Sequence, residues 1–207
     1  MRLFIDGCHP ETRSVDVVVN NAGVGLGGPL ESISLAQLRE HFEVNVIGAA
    51  SVCHVAISRM RERGQGLLIN VSSAAGRVGP PFLSPYCAGK FAIEGLSESL
   101  HYELKPFGIR VKIVEPGGVR SNFSHVWIEA QAYESFVDPV RNSMEQGQQR
   151  AALPEVAAKT IIRAANDSSD RLRYRASDAG SLLAIRRLLP NRAWRSFIGK
   201  IFSLPSN

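Results

Sequence analysis

Tyr86 and Lys90 stand four residues apart in the run "SPYCAGKFAIEGLSESLHYELKPFG", residues 84–108. In a helix that spacing puts both side chains on one face, one turn apart. A free phenol has a pKa of about 10 and is a poor base at neutral pH. An ammonium group beside it favours the phenolate by charge attraction. The pair therefore makes a tunable proton donor or acceptor. Ser73 adds a hydroxyl at the end of the preceding apolar run, "GLLINVSS" (66–73). From there it can hydrogen-bond a carbonyl or alcohol oxygen that Tyr86 protonates or deprotonates. Taken alone, the same serine reads equally as a turn or helix cap. Ser72, one step back along the strand, points to the opposite face.

Three apolar runs must position these groups. "VDVVVN" (15–20), "GLLINVSS" and "IRVKIVEPGG" (109–118) read as buried strands. Residues 34–64 read as one long helix, with Ser34 as its N-cap and Gly64 as its stop. The 84–108 helix opens at Ser84, with Pro85 at its first position, and closes at Pro106 and Gly108. A further helix spans 154–165, and "RLRYRA" (171–176) is a last edge strand. Strand–helix–strand alternation with continuous apolar strands implies an α/β fold, a parallel sheet covered on both faces. Ligands of such sheets bind beyond the carboxyl ends of the strands. Ser73 and Tyr86 share that edge. Residues 122–150 read as polar and irregular.

One feature points elsewhere. Gly23, Gly25 and Gly28 form a literal G-x-G-x-x-G after the first strand. A phosphate loop needs its third glycine inside a helix that starts at once, so that free N–H groups face the pyrophosphate. Here Pro29, Leu30 and Glu31 intervene, and helical signal begins only near Ser34. The run is expected to be a flexible loop and not a phosphate cradle.

With 207 residues, 44% hydrophobic and 21% charged, the chain reads as a single domain, 1–207. No apolar run approaches the roughly 20 residues of a membrane span, and the first residues do not resemble a leader. The expectation is a soluble, cytoplasmic protein with no stable membrane insertion. Cys8, Cys53 and Cys87 form no C-x-x-C, and the five histidines form no H-E-x-x-H. Neither a disulfide framework nor a metal site is expected. The net charge is +5, and residues 171–200 hold seven Arg and one Lys against Asp178 alone. Stacking aromatics do not interleave with them, so this reads as a solvated basic tail, or the face of a helix such as "SLLAIRRLLP", and not as a nucleic-acid site. A hydrolase built on Ser73 would lack the G-x-S-x-G elbow.

The motifs taken together resemble the short-chain dehydrogenase/reductase family. The likeness rests on "NNAG" (20–23), "VNV" around Asn45, "INVSS" (69–73), "YCAGK" (86–90) and "PGGVRS" (116–121), in the family's order and spacing. It implies a Rossmann-like, doubly wound sheet and hydride transfer between NADP or NAD and an alcohol or ketone. In that reading Tyr86 is the acid/base, Lys90 lowers the phenol pKa and holds the nicotinamide ribose, and Ser73 orients the substrate oxygen. Asn45 positions a water that relays protons to Lys90. Asn20, Ala22 and Gly23 border the adenosine side, and Pro116, Gly117, Val119 and Ser121 lie along the nicotinamide amide. The resemblance also implies a homo-oligomer built through the helices at 34–63 and 84–106. Phe82, Phe123, Trp127 and Phe136 suggest an apolar substrate, though the same aromatics also serve packing.

The family's own phosphate loop, T-G-x-x-x-G-x-G, opens its fold on the first strand. Only nineteen residues precede Asn20, fewer than the about 30 of a βαβ unit. The expectation is thus a partial domain missing its first strands and helices, with weakened cofactor binding and an apolar edge exposed at 15–20. "LFID" (3–6) would be a remnant of an upstream strand. The competing expectation is a non-catalytic remnant that acts as an interaction module or inactive fragment.

Overall fold

A computed structural model describes residues 15–202 other than Ser124, together with Leu204. Cys8 and the run 3–6 lie outside the described residues. Four strands form a parallel sheet: β1 (Val17–Asn20), β3 (Gly66–Val71), β4 (Ile109–Pro116) and β6 (Arg173–Ala176), in the order β1-β3-β4-β6. Successive residues of each strand alternate sides, and both sides are packed. Leu68, Ile109 and Val111 face one layer with Cys53, Ala56, Met60, Leu100 and Leu104. Leu67, Ile69, Val114 and Tyr174 face the other with Ala164. Double coverage is why these strands read as unbroken apolar runs.

The first layer is made by α2 (Gly48–Arg63) and α3 (Ser84–Leu104), the second by α5 (Pro154–Asn166). Ser34 caps α1 (Leu35–Phe42) as expected: Gln37 N–H donates to its Oγ at 3.2 Å, and the Gln37 side chain accepts from Ser34 N–H at 2.9 Å. Gly64 ends α2 at φ 69°, a left-handed position that glycine adopts without strain. A polar ladder crosses the sheet. Asn20 Nδ2 donates to Asn70 Oδ1 at 2.8 Å, and Asn70 Nδ2 donates to Ser97 Oγ at 2.8 Å.

Several expectations are corrected. The helix at 34–64 is not uniform: a π-turn, Glu43–Ile47, separates α1 from α2, with Gly48 N–H bonding Glu43 C=O. The first strand is half-exposed and not buried, with Val17 and Val19 each 41% exposed at the sheet edge. The second ends at Val71, two residues short of Ser73. Leu83, and not Ser84, stands at the N-cap of α3. The glycine run is no flexible loop. It forms β2 (Gly25–Gly27), paired in parallel with β5 (His125–Trp127) in a second, two-stranded sheet.

Residues 122–150 hold β5 and then α4 (Glu134–Arg150). Pro139 inside α4 and the scarcity of buried residues, Val137 and Val140 alone, erased its periodic signal. The basic tail folds into α6 (Ala179–Leu188) and α7 (Asn191–Ile201). Its first arginines are not simply solvated. Arg173 contacts Glu94 at 3.0 Å, Glu98 at 2.6 Å and Glu115 at 3.5 Å, and Arg175 approaches Glu115 at 3.4 Å.

Candidate active site

The chain leaves β3 through Ser72, whose N–H still bonds Val114 C=O at 2.8 Å. Ser73 then caps a single 3-10 turn, Ala74–Gly76, by accepting from Ala75 N–H at 3.1 Å. The capping reading of this serine thus holds, and its hydroxyl also donates to Pro116 C=O at 3.5 Å while lying near enough to the Tyr86 phenol to oppose the rise of its pKa. Tyr86 lies in the first turn of α3 and Lys90 one turn later. The Lys90 ammonium donates to Val71 C=O at 2.9 Å and stands 5.9 Å from the centre of the Tyr86 ring.

Asn45 enters from the π-turn. Its Oδ1 accepts from Val24 N–H at 3.0 Å, and its Nδ2 donates to Val24 C=O at 2.9 Å and to His41 C=O at 3.1 Å. The amide therefore pairs with the chain just past Asn20–Gly23 as a neighbouring strand would. A Cβ on Gly23 would lie 2.7 Å from Asn45 Oδ1, so this turn closes on the Asn45 amide only because Gly23 has no side chain; Lys90 Nζ lies 3.9 Å from the same point. Asn45, Gly23, Lys90, Ser73 and Tyr86 are thus gathered at the carboxyl end of the sheet.

The remaining candidates are more spread. Asn20 belongs to the polar ladder, and Ala22 is exposed at the strand end. Pro116 ends β4, and Gly117 N–H donates to Ala176 C=O at 3.1 Å. Asp178 anchors the next residue, accepting from Gly118 N–H at 2.7 Å. Val119 bridges to Ala152, and Ser121 Oγ accepts from Phe123 N–H at 3.2 Å. The segment returns to the site through Phe123, whose ring lies 5.8 Å from that of Tyr86.

Burial dominates the electrostatics. It lowers Lys90 to about 8, raises Cys87 to about 11 and lowers His41. It also raises the Tyr86 phenol above its ordinary value, opposed by the neighbouring Ser73 hydroxyl. This corrects the expected depression by Lys90: the ammonium is too far away, and tied to Val71, to offset desolvation here.

Two residues went unread in the sequence. His125 packs edge-on against Tyr86, centroids 4.9 Å apart, and burial followed by His41 lowers its pKa to about 4. Its signal was the alternation Phe123, His125, Trp127, one aromatic face of a strand. His41 is buried with its ring 6.5 Å from that of Tyr86. Phe82 holds a positive φ of 59° beside the site, its carbonyl accepting from Gly28 N–H at 2.8 Å. Phe136, by contrast, is exposed.

The glycines of β2 do not fit a pyrophosphate. A Cβ on Gly25 would meet His125 Cδ2 at 2.6 Å, and one on Gly27 would meet Trp127 at 2.9 Å. They are small so that β5 can close over the site. At the end of the sheet near Lys90 the donor chemistry suits a nicotinamide ribose, to whose hydroxyls the Lys90 ammonium and the Tyr86 hydroxyl would donate.

The family model described as short chain dehydrogenase matches residues 1–132. An uncharacterized oxidoreductase of Bacillus subtilis, YusZ, is 35% identical over 196 residues, 90% of this chain and 70% of that protein. Bovine retinol dehydrogenase 8 is 35% identical over 190 residues, 86% of this chain and 61% of that enzyme. A crystal structure of a short-chain dehydrogenase from Streptomyces avermitilis superposes with a TM-score of 0.73 at 37% identity, covering 88% of this chain and 69% of that one. The chain belongs to the short-chain dehydrogenase/reductase family, with its Rossmann-like α/β sheet. It is accordingly an NAD(P)-dependent oxidoreductase of small molecules. Among the described residues no helix is long and apolar enough to cross a membrane, and no cluster of metal ligands occurs.

Proposed function

We propose that Tyr86 is the acid/base of this oxidoreductase and that its substrate is an apolar alcohol or ketone. The observation that carries the reading is the Lys90 ammonium, held on Val71 C=O at 2.9 Å and standing 5.9 Å from the centre of the Tyr86 ring, with the Ser73 hydroxyl near the same phenol. In carbonyl reduction the substrate oxygen takes hydrogen bonds from Ser73 and Tyr86. Tyr86 gives up its proton as charge grows on that oxygen. Lys90, held by Val71, stabilises the phenolate through space. Asn45 fixes the Gly23–Val24 turn beside Lys90 and holds the water that returns a proton.

When bound, the nicotinamide supplies or accepts the hydride. Tyr86 and Lys90 would hold its ribose, Asn20, Ala22 and Gly23 would border the adenosine side of the cofactor, and Pro116, Gly117, Val119 and Ser121 would lie along the amide. An apolar substrate is supported by the wall of Phe123, Trp127, Leu83 and Met144 around Tyr86, and by the likeness to a retinol dehydrogenase. We place the chain in the cytoplasm as one domain. We also read a homo-oligomer from the exposed Val44, Ile47, Phe91 and Tyr102 on the helices the family uses for assembly.

The test is Tyr86→Phe, assayed with long-chain and polycyclic ketones. Turnover should fall at least about a hundredfold with nicotinamide fluorescence titration unchanged. Full turnover in that variant would remove Tyr86 from the reaction, and a preference for small polar substrates in the parent protein would overturn the apolar reading.

A further inference from the structure

The helix pair α6–α7 presents two outward faces that the active site does not use. α6 turns Leu182 and Leu183 inward, against Val78, Trp194, Phe197 and Ile198. Its opposite face is apolar as well: Ala184, Ile185 and Leu188 are exposed, Leu188 to 80%. A helix apolar on both sides is ordinarily covered on both. α7 is built differently, with Trp194, Phe197 and Ile198 inward and Arg192, Arg195 and Lys200 outward. Arg186 clasps the two helices, donating to Asn191 Oδ1 at 3.1 Å and lying over the Trp194 ring at 5.4 Å. From Ala179 to Asn207 the sequence holds no Asp or Glu. Arg187, Arg192, Arg195 and Lys200 form no ion pair among the described residues.

We propose that this helix pair docks the protein on an anionic lipid surface, with Ile185 and Leu188 entering the acyl boundary and Arg187, Arg192, Arg195 and Lys200 meeting the headgroups. Charge complementarity selects that occupant. A second copy of the same face would set cation against cation. A nucleic acid would match the cations but leave the apolar strip of α6 in water. An interfacial helix pair answers both features at once. The contact is peripheral and independent of which substrate the active site takes.

The test is co-sedimentation of the full chain with sucrose-loaded vesicles of phosphatidylcholine, with and without phosphatidylserine. The chain should pellet with the anionic vesicles and be released by high salt. Each cation replaced should weaken binding roughly fivefold, so Arg192→Glu with Arg195→Glu should abolish it. Leu188→Asn should weaken it without shifting the melting temperature, because that side chain touches mainly solvent. Absence of pelleting, equal pelleting with neutral vesicles, or indifference to the charge reversals would overturn the proposal. So would a parent chain that ignores vesicles and forms an oligomer which Leu188→Asn dissociates, since a second copy would then be the occupant.

Discussion

The Lys90 ammonium donates to the main-chain carbonyl of Val71 at 2.9 Å while standing 5.9 Å from the centre of the Tyr86 ring. It acts on the phenol as a buried charge and not as a hydrogen-bond partner. Burial lowers it to about 8, so the charge is present below that pH and fades above it. Ketone reduction turns Tyr86 into a phenolate and needs the charge. Reductive kcat/KM should therefore decline as pH rises through about 8. A flat profile from about pH 7 to about 10 would dismiss Lys90 as the electrostatic partner.

The same burial makes Lys90 a cost to the fold. Between about 8 and 10.5 the unfolded chain holds the proton and the native one does not. The penalty is thus full below about pH 8 and relieved above it. Lys90→Met should raise the unfolding free energy at neutral pH by about 1–2 kcal/mol, read by chemical denaturation, while removing turnover.

Gly25 separates the two meanings of the glycine run. In Gly25→Ala the new Cβ would lie 2.6 Å from His125 Cδ2 and 2.9 Å from its Cα, so β5 must move. The variant should lose about 1–3 kcal/mol and raise KM for substrate, with cofactor Kd unchanged. A selective loss of cofactor affinity would restore the phosphate-loop reading.

His125 should make the fold acid-labile. Its native pKa near 4 lies below the ordinary 6.5, with burial the first cause. Stability from its neutral form is complete above about 6.5 and is lost as pH falls through about 4. His125→Phe should flatten that limb in melts followed by circular dichroism; an unaltered acid limb would show that other groups set it.

Arg173 joins β6 to α3 through Glu94 and Glu98, and faces the fully buried Glu115. Arg173→Met leaves Glu94 with Arg77 at 3.8 Å and Glu115 with Arg77 and Arg175 at 3.7 and 3.4 Å. Loss of about 3 kcal/mol is expected, and adding Glu94→Gln should recover part of it. Additive losses in the double variant would mean that the two residues are not coupled.

What the sequence made legible was local. β3, β4 and α3 announce themselves through apolar runs and a proline at a helix start, and the Tyr86–Lys90 spacing needs only helical geometry. What stayed hidden depends on partners distant along the chain. Glu94 and Glu115, which neutralise the β6 arginines, lie roughly sixty to eighty residues upstream of them. His125 gains its meaning only when β5 crosses to β2. The phenol pKa was misjudged because spacing reports a neighbouring charge but not the depth of burial. The π-turn at Asn45 leaves no trace in periodicity over so short a span.

That π-turn has an architectural consequence. One additional residue between α1 and α2 advances the winding by about 100°. The seam of Cys53, Ala56 and Met60 can then grip the sheet while Asn45 still reaches Val24. An uninterrupted helix through Glu43–Ile47 would have to sacrifice one alignment to keep the other. Proton handling and anchorage share a single rod here because that rod is deliberately out of phase with itself.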